Sequence, residues 1–216
     1  MILSVLIGEG SGVSLLAATS QELAASPDYV DIGRFSNVKI DLRYASVNNF
    51  MGQNVYGDFR TAYLHKDAAE KFQKATVHLK ELYPGWSFIV FDALRPRSVQ
   101  RVLWAKVKGT KQESYVANPD KGSVHNYGFA LDLSLLDEKG QEVDMGTSFD
   151  SFQDLAQPRF EEKFLRAGKL TAAQIENRNR LRRLMEPEGF VELKDEWWHF
   201  DALPLSIIKS KYKIVD

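Results

Sequence analysis

Residues 123–135 read SVHNYGFALDLSL and join a polar turn to a predicted β-strand. Over residues 129–135 the apolar side chains alternate with a period of two, which is typical of a half-buried strand. Gly128 allows a tight turn between His125 and this strand. Asp132 lies within the apolar run, where a carboxylate is costly to bury unless it is paired or bound to a metal. The segment therefore predicts a strand with a candidate metal site near its start.

A helix and a strand are predicted before this segment. Over residues 65–83 apolar side chains recur at steps of three and four, the period of an amphipathic helix, and Pro84 and Gly85 end it. Residues 86–93, WSFIVFDA, form an apolar, aromatic and β-branched run that predicts a buried strand. Pro96 suits the first turn of a following helix.

The remaining elements come after the quoted segment. Residues 137–141 predict a hairpin turn, and Thr171 with Gln174 forms a capping box at the start of a helix. Residues 190–193 and 196–201, FVEL and EWWHFD, are predicted strands. Strands in hairpin order with helices inserted between them favour an α+β fold over a doubly wound parallel sheet. We therefore expect one α+β domain with a central, mainly antiparallel sheet, flanking helices and the metal site at the sheet.

Composition restricts the classes of function. The chain has 216 residues, of which 44% are hydrophobic, which is enough for one well-buried core. Lys and Arg number 28 against 29 Asp and Glu, so no basic field exists to hold nucleic acid. The sequence has no cysteine, which excludes disulfide scaffolds, thiolate zinc sites and cysteine nucleophiles. A metal site in this chain must therefore use histidine and carboxylate ligands.

The N-terminal residues 1–27 are predicted to be a leader, with the functional domain over residues 28–216. The leader is small, apolar and free of Lys and Arg, which resembles the late part of a secretory signal without its positive start. A plain disordered leader is the alternative, so the compartment stays open, with a periplasmic location favoured over a cytoplasmic one. No apolar run reaches the length of about 18 to 20 residues that a membrane span requires.

A second chemical segment is EWWH, residues 196–199. A catalytic zinc ion takes three protein ligands and leaves a fourth position for water, whose pKa falls to about 7. His125, Asp132 and His199 can fill the three protein positions. The sequence therefore predicts one zinc ion per chain, held by these side chains.

Glu196 lies three residues before His199, where a carboxylate close to a metal site can act as a general base. In a flat strand, residues three apart point to opposite faces. The assignment therefore requires a bulge, a twist or a turn within EWWH, and a surface carboxylate is the alternative. Trp197 and Trp198 are expected to be packing residues that fix this strand.

Arg95 follows a buried strand and precedes Pro96, which fixes its backbone. Its guanidinium can stabilise the oxyanion that forms when hydroxide attacks a carbonyl, and Asp92 on the same strand end can orient it. A purely structural ion pair between the two is the alternative. His65 and His78 belong to the predicted amphipathic helix and are not expected to bind metal.

These residues carry a resemblance to a known family. SVHNYGFALD matches S-x-H-x-x-G-x-A-x-D and EWWH matches E-x-W-H, the two signatures of the VanX-type D-alanyl-D-alanine dipeptidases. That family is related to the D,D-carboxypeptidases and to the Hedgehog-like zinc fold. The likeness covers residues 30–202, and further blocks resemble the family in the same order: DLRYASVNNFMGQNVYG (residues 41–57), FDALRPRSVQ, DMGTSFD (residues 144–150), NRNRLRRLM and EGF.

The chain departs from the family in one block. Where the family often has an aromatic residue between the aspartate and the arginine, this sequence has Ala93 and Leu94. The surroundings of Arg95 are therefore expected to differ.

The resemblance implies roles for individual residues. It agrees on His125, Asp132 and His199 as zinc ligands, with Glu196 as the base and Arg95 as the group that stabilises the transition state.

Three further roles rest on the resemblance alone. Tyr44 and Asp150 are implied to hold the free ammonium of the substrate, and Ser123 is implied to lie near its carboxylate end. A turn in which Asp150 serves only as a cap is the alternative for DMGTSFD.

The resemblance implies zinc-dependent hydrolysis of D-Ala-D-Ala to two D-alanines, in peptidoglycan precursor or turnover metabolism. The partner is then a small D,D-dipeptide, and the oligomeric state stays open. One alternative is a D,D-carboxypeptidase that acts on longer stem peptides; an acidic pocket at Asp150 and Tyr44 favours the dipeptidase. The other is a non-catalytic, zinc-stabilised binding module, which has no use for Glu196 or Arg95.

Overall fold

The computed structural model describes residues 19–216. Of the predicted leader, residues 1–27, the first 18 lie outside the described residues. Residues 19–25 are helical (α1), and Leu23 on this helix is buried in the core. In this described range, no helix combines the length and the apolar character that crossing a membrane requires.

The strands of the described chain form two sheets. In chain order they are β1 (Tyr29–Asp31), β2 (Val38–Ile40), β3 (Tyr63–His65), β4 (Ser87–Asp92), β5 (Ala130–Leu136), β6 (Val191–Leu193) and β7 (Glu196–Asp201). The central sheet has the order β2-β4-β5-β7-β6, and β1 pairs with β3 in a separate ribbon. Only the β2–β4 pair of the central sheet is parallel, so the predicted mainly antiparallel α+β architecture is confirmed.

After α1, the helices of the described chain are α2 (Lys66–Leu82), α3 (Arg97–Val107), α4 (Glu161–Arg166), α5 (Ala172–Met185) and α6 (Leu205–Lys211). Helices α2 to α5 fall between strands along the chain, whereas α1 precedes β1 and α6 follows β7. The predicted capping box is present at α5, where the Thr171 hydroxyl accepts from the Gln174 amide at 3.2 Å and the Gln174 side chain accepts from the Thr171 amide at 2.8 Å. The two reciprocal bonds satisfy amides that would otherwise be unpaired at the helix start.

Two expectations about β5 and the following turn need correction. Residues 130–135 are all buried, so β5 is covered on both faces, not on one. The period of two arises because leucines alternate with the polar residues Asp132 and Ser134. These polar side chains are buried like the leucines. The turn at residues 137–141 forms as predicted, yet the chain beyond it pairs with β5 at one bridge only, between Leu136 and Glu142.

Candidate active site

A short 3-10 helix, Val124–Tyr127, places His125 beside the sheet. Ser123 caps it by accepting from the His125 amide, and the Asn126 side chain accepts from the Ser123 amide. The His125 Nδ1 lies 2.6 Å from the carbonyl oxygen of Ala93. Because Nδ1–H donates to that carbonyl, Nε2 keeps its lone pair and points toward Asp132.

Gly128 ends this 3-10 helix in a left-handed conformation with φ +73°. A Cβ at this position would lie 2.8 Å from the backbone nitrogen of His65 on β3. The close approach also carries a hydrogen bond from that nitrogen to the Gly128 carbonyl. Glycine is therefore required here both for its φ and for the missing side chain.

We expect Gly128→Ala to lower the free energy of unfolding by about 3 kcal/mol or more. Gly140→Ala is the matched control, since Gly140 has φ +74° but nothing within 4 Å of its virtual Cβ. In that variant only the left-handed backbone is unfavourable, so the free energy of unfolding should fall by roughly 1 kcal/mol. Urea unfolding of both variants measures the difference; equal losses would show that the contact with β3 costs nothing.

Three predicted ligands meet at the end of the β5–β7 pair. The strand register places Asp132 directly opposite His199, and the 3-10 helix brings His125 to the same point. His199 Nδ1 lies 2.9 Å from Asp132 Oδ1 and 3.2 Å from His125 Nε2. His125 Nε2 lies 3.3 Å from the same Asp132 oxygen. The three atoms thus form a small triangle, and all three residues are buried.

The triangle has the size of one face of a tetrahedral metal site. Ligand atoms about 2.1 Å from a tetrahedral ion lie about 3.4 Å apart, close to the three separations observed. Burial opposes protonation of His199, but the carboxylates of Asp201 and Asp132 raise its pKa well above its ordinary value. Burial would also raise the pKa of Asp132, yet His125 and His199 hold it well below its usual range. The electrostatics of this corner therefore favour a bound cation.

Glu196 lies on the same side of β7 as His199. Regular pairing of β6 with β7 breaks between Glu192, which pairs with Phe200, and Leu193, which pairs with Glu196. This irregularity is the bulge that the sequence required within EWWH, and it leaves a Glu196 oxygen 4.0 Å from His199 Nδ1. Burial raises the pKa of Glu196 to about 8. The carboxylate therefore borders the metal triangle with a proton affinity suited to exchange near neutral pH.

Arg95 also borders the triangle and is buried. Its Nε donates to Asp92 Oδ2 at 2.7 Å and its Nη1 to Gln100 Oε1 at 2.9 Å. Its Nη2 lies 3.5 Å from Asp132 Oδ2. The guanidinium also stacks over the Tyr44 ring, with 5.0 Å between its central carbon and the ring centroid. These contacts fix a positive charge next to the point where a reacting carbonyl would bind.

Tyr44 and Asp150 form a hydrogen-bonded pair that lines the same pocket as the metal triangle. The Tyr44 hydroxyl donates to Asp150 Oδ1 at 2.9 Å, and the Phe50 amide donates to Asp150 Oδ2 at 3.3 Å. Burial raises the pKa of Asp150 to about 7, although the Tyr44 hydrogen bond lowers it. Both donors are uncharged, so the carboxylate can still accept a cationic group from a ligand.

All the predicted site residues except Asp92 line one pocket of about 230 Å³. This is below the roughly 300–1,000 Å³ typical of pockets for drug-sized ligands, so it fits a small substrate. Ser123 lies on the wall but already serves as a helix cap. Asp92 lies behind Arg95 with its side chain fully buried.

The two remaining histidines have other partners. The His65 ring stacks on Phe129 with 4.8 Å between centroids, and its Nδ1 accepts from the Asp67 amide at the start of α2. His78 Nδ1 lies 3.2 Å from a Glu188 oxygen on the surface. Both lie outside the metal triangle.

Comparison with known proteins gives the family. Residues 27–213 match the Peptidase_M15 family, described as D-ala-D-ala dipeptidase. The chain belongs to this family. A D-alanyl-D-alanine dipeptidase of Escherichia coli is 34% identical over 167 residues, which cover 77% of this chain and 80% of that protein. A D-alanyl-D-alanine dipeptidase of Enterococcus faecium is 32% identical over 182 residues, 76% of this chain and 85% of that protein.

The structure of this Peptidase_M15 member adds supporting residues that the sequence analysis missed. Asp201 Oδ1 accepts from His199 Nε2 at 2.8 Å and so directs Nδ1 toward the metal triangle. Tyr56 donates to Asp92, and Gln100 joins Arg95 to the carbonyl of Ala117 at 2.8 Å. A signal existed for Asp201, because it lies two residues after His199 and so shares its face of the strand.

Proposed function

We propose that this protein hydrolyses D-Ala-D-Ala to two D-alanines, in peptidoglycan precursor or turnover metabolism, with one zinc ion per chain. The metal triangle of His125, Asp132 and His199 carries the proposal, because a base and a guanidinium border it in one small pocket. Membership of the Peptidase_M15 family and relatives named as D-alanyl-D-alanine dipeptidases support it. The donors are two imidazoles and one carboxylate, which is a set that zinc favours in catalytic sites.

A zinc ion held at the triangle supplies a Lewis acid and lowers the pKa of water so that hydroxide is available near neutral pH. His125 and His199 would hold the ion through Nε2 and Nδ1, because their other ring nitrogens donate to the Ala93 carbonyl and to Asp201. These two hydrogen bonds fix both the tautomer and the ring orientation of each histidine.

Glu196 takes the proton of the attacking water and passes it to the leaving amine. Burial raises the pKa of its carboxyl group, which favours the uptake of a proton from the attacking water. Arg95 stabilises the negative charge that develops on the carbonyl oxygen. Asp92 and Gln100 hold the guanidinium in place, so that little reorganisation is needed during the reaction.

Asp150 and Tyr44 bind the free ammonium of the dipeptide, and Ser123 lies at its carboxylate end. A carboxylate in the lining of a small pocket favours a charged amine over an uncharged, acylated one, which supports the dipeptidase over the D,D-carboxypeptidase. The pair of Glu196 and Arg95 beside the triangle argues against a module that only binds, because binding alone requires neither a base nor an oxyanion partner.

The decisive experiment is an assay of D-alanine release from D-Ala-D-Ala. We expect turnover by the purified protein, its loss after treatment with a chelator, and its return when one equivalent of zinc per chain is added. Calcium and magnesium are the control ions, since neither prefers two imidazole ligands. Turnover that is unaffected by the chelator, or the absence of turnover from a zinc-loaded protein, would contradict the proposal.

Glu196→Gln should retain one zinc ion per chain while kcat falls by about 10²- to 10⁴-fold. The amide has nearly the same shape as the carboxyl group but cannot accept the proton. Metal analysis and steady-state kinetics on the same sample measure both quantities. If the variant loses its zinc, Glu196 is a ligand and not the base.

A further inference from the structure

Helix α5 holds both ends of the segment that carries Asp150. Arg178 on this helix is fully buried, and its guanidinium donates in three directions. Nε donates to the Met145 carbonyl at 2.9 Å, and Nη2 donates to the Leu155 carbonyl at 3.0 Å. Nη1 donates to Glu161 Oε1 at 3.0 Å. A single side chain thus joins two carbonyls that lie ten residues apart in the sequence; we call the chain between them the 145–155 segment.

Asp150 lies at the midpoint of the 145–155 segment, five residues from each end. Its backbone has φ 60°, a left-handed conformation that residues other than glycine rarely adopt. Such a conformation persists only where the surrounding structure holds it. The position of its carboxylate therefore depends on how firmly the two ends are fixed, as well as on the hydrogen bonds from Tyr44 and Phe50.

Other contacts fix the first half of the segment. The Trp197 indole donates to the Thr147 hydroxyl at 2.9 Å, and a Cβ at Gly146 would collide with Leu170. Just before the segment, Asn177 on α5 donates to the Asp144 carbonyl at 2.9 Å. In the last half, the Phe152 ring packs against Phe50 and Tyr115, and Arg178 donates the hydrogen bond to the Leu155 carbonyl. Loss of this guanidinium therefore removes the hydrogen bond that joins α5 to the end of the segment and leaves that half held by the Phe152 ring contacts.

The choice of arginine at this buried position has a physical meaning. Burying a guanidinium is costly unless all its donors find partners, and apolar side chains fill such volumes more cheaply. The planar fork, however, sets the distance and angle between the groups it binds, which an apolar side chain or a lysine cannot do. A group of this kind fits a role in positioning a loop.

We propose that Arg178 is a positioning residue that sets the selection for a free amino terminus, by fixing the 145–155 segment so that Asp150 faces the substrate ammonium. The inference rests on the proposed function for the role of Asp150 and goes beyond it by assigning the selection to a residue outside the pocket. Arg178 itself touches no substrate.

The test compares Arg178→Lys with Arg182→Lys. Arg182 lies on the same helix and donates to the same Glu161 oxygen at 2.6 Å, but its other bonds go to Glu192 and Asn179. Both variants keep the positive charge and weaken the bond to Glu161. They differ in that only Arg178→Lys also removes hydrogen bonds to the 145–155 segment. Each protein is assayed on D-Ala-D-Ala and on N-acetyl-D-Ala-D-Ala, with zinc content checked, and amide hydrogen exchange is followed by mass spectrometry.

In Arg178→Lys, we expect kcat/KM for the free dipeptide to fall about tenfold to a hundredfold, mainly through KM. The acetylated dipeptide has no ammonium to bind, so its rate should change by less than about threefold, and the ratio between the substrates narrows. Residues 145–155 should exchange faster, with zinc retained. Arg182→Lys should leave both the ratio and the exchange of this segment as in the wild type.

Equal losses on both substrates in Arg178→Lys, or the same narrowing in Arg182→Lys, would overturn the proposal. Should Arg178→Lys fail to fold, Asn177→Ala serves in its place, because it removes a more exposed hydrogen bond from α5 to the residue immediately before the segment. A zinc-loaded wild type inactive on both substrates would refute the proposed function. In that case the exchange pattern still decides whether Arg178 holds the segment.

Discussion

His125→Ala, Asp132→Ala and His199→Ala should each leave the protein without bound zinc and with activity no higher than that of chelated wild type. Each change removes one corner of a triangle whose sides are 2.9 to 3.3 Å. The Asp132 variant should also be the least stable, because it leaves Arg95 and two histidines without their shared carboxylate. Metal analysis after dialysis and the D-Ala-D-Ala assay measure the two losses.

Stability provides an independent measure of the same site. A ligand that binds only the folded state stabilises it, by about 4 kcal/mol when its free concentration is about 1,000 times the Kd. Zinc should therefore raise the Tm of the wild type and of His78→Ala, since His78 lies outside the triangle. The three ligand variants should show no such rise. A variant that keeps zinc at wild-type affinity would remove its residue from the set.

The sequence was sufficient to predict the architecture where local signals were strong. The capping box at Thr171 predicted the start of α5, and an apolar run predicted β4. Burial of β5 on both faces was not predictable from its alternation, because Asp132 and Ser134 look like exposed positions in a strand. Their burial depends on what packs over the sheet, which is information from distant parts of the chain.

The candidate site shows the same division. The spacing of His125, Asp132 and His199 in two signatures led to the set that the structure brings together. Asp92, which orients Arg95, is among the predicted residues. Tyr56 and Gln100, which support this pair, could not be found in this way, since they come from a loop and a helix with no chemical pattern of their own. Arg178 likewise lies in an arginine-rich helix. The other arginines of this helix are exposed or half-buried, and only the fold shows which arginine is buried.

N-acetylation of the substrate should lower kcat/KM by about 10²- to 10⁴-fold relative to free D-Ala-D-Ala. The ammonium of the free dipeptide pairs with Asp150, whereas an acetylated amine leaves this carboxylate buried and without a cation from the substrate. Loss of a buried charge pair costs a few kcal/mol, which corresponds to this range of rates. The prediction separates a dipeptidase from a carboxypeptidase, because a carboxypeptidase must accept an acylated nitrogen.

Asp150→Asn tests the cause of that difference. The amide can still accept from the Tyr44 hydroxyl and fits the same space, but it carries no charge to pair with an ammonium. The kcat/KM for the free dipeptide should therefore fall toward that for the acetylated one, while the value for the acetylated substrate changes little. The difference between the two substrates then shrinks because the faster reaction slows. Wild-type rates that are comparable for both substrates would instead favour the carboxypeptidase. A gap that persists in Asp150→Asn would assign the selection to the size of the pocket, because steric exclusion of the acetyl group does not depend on this charge.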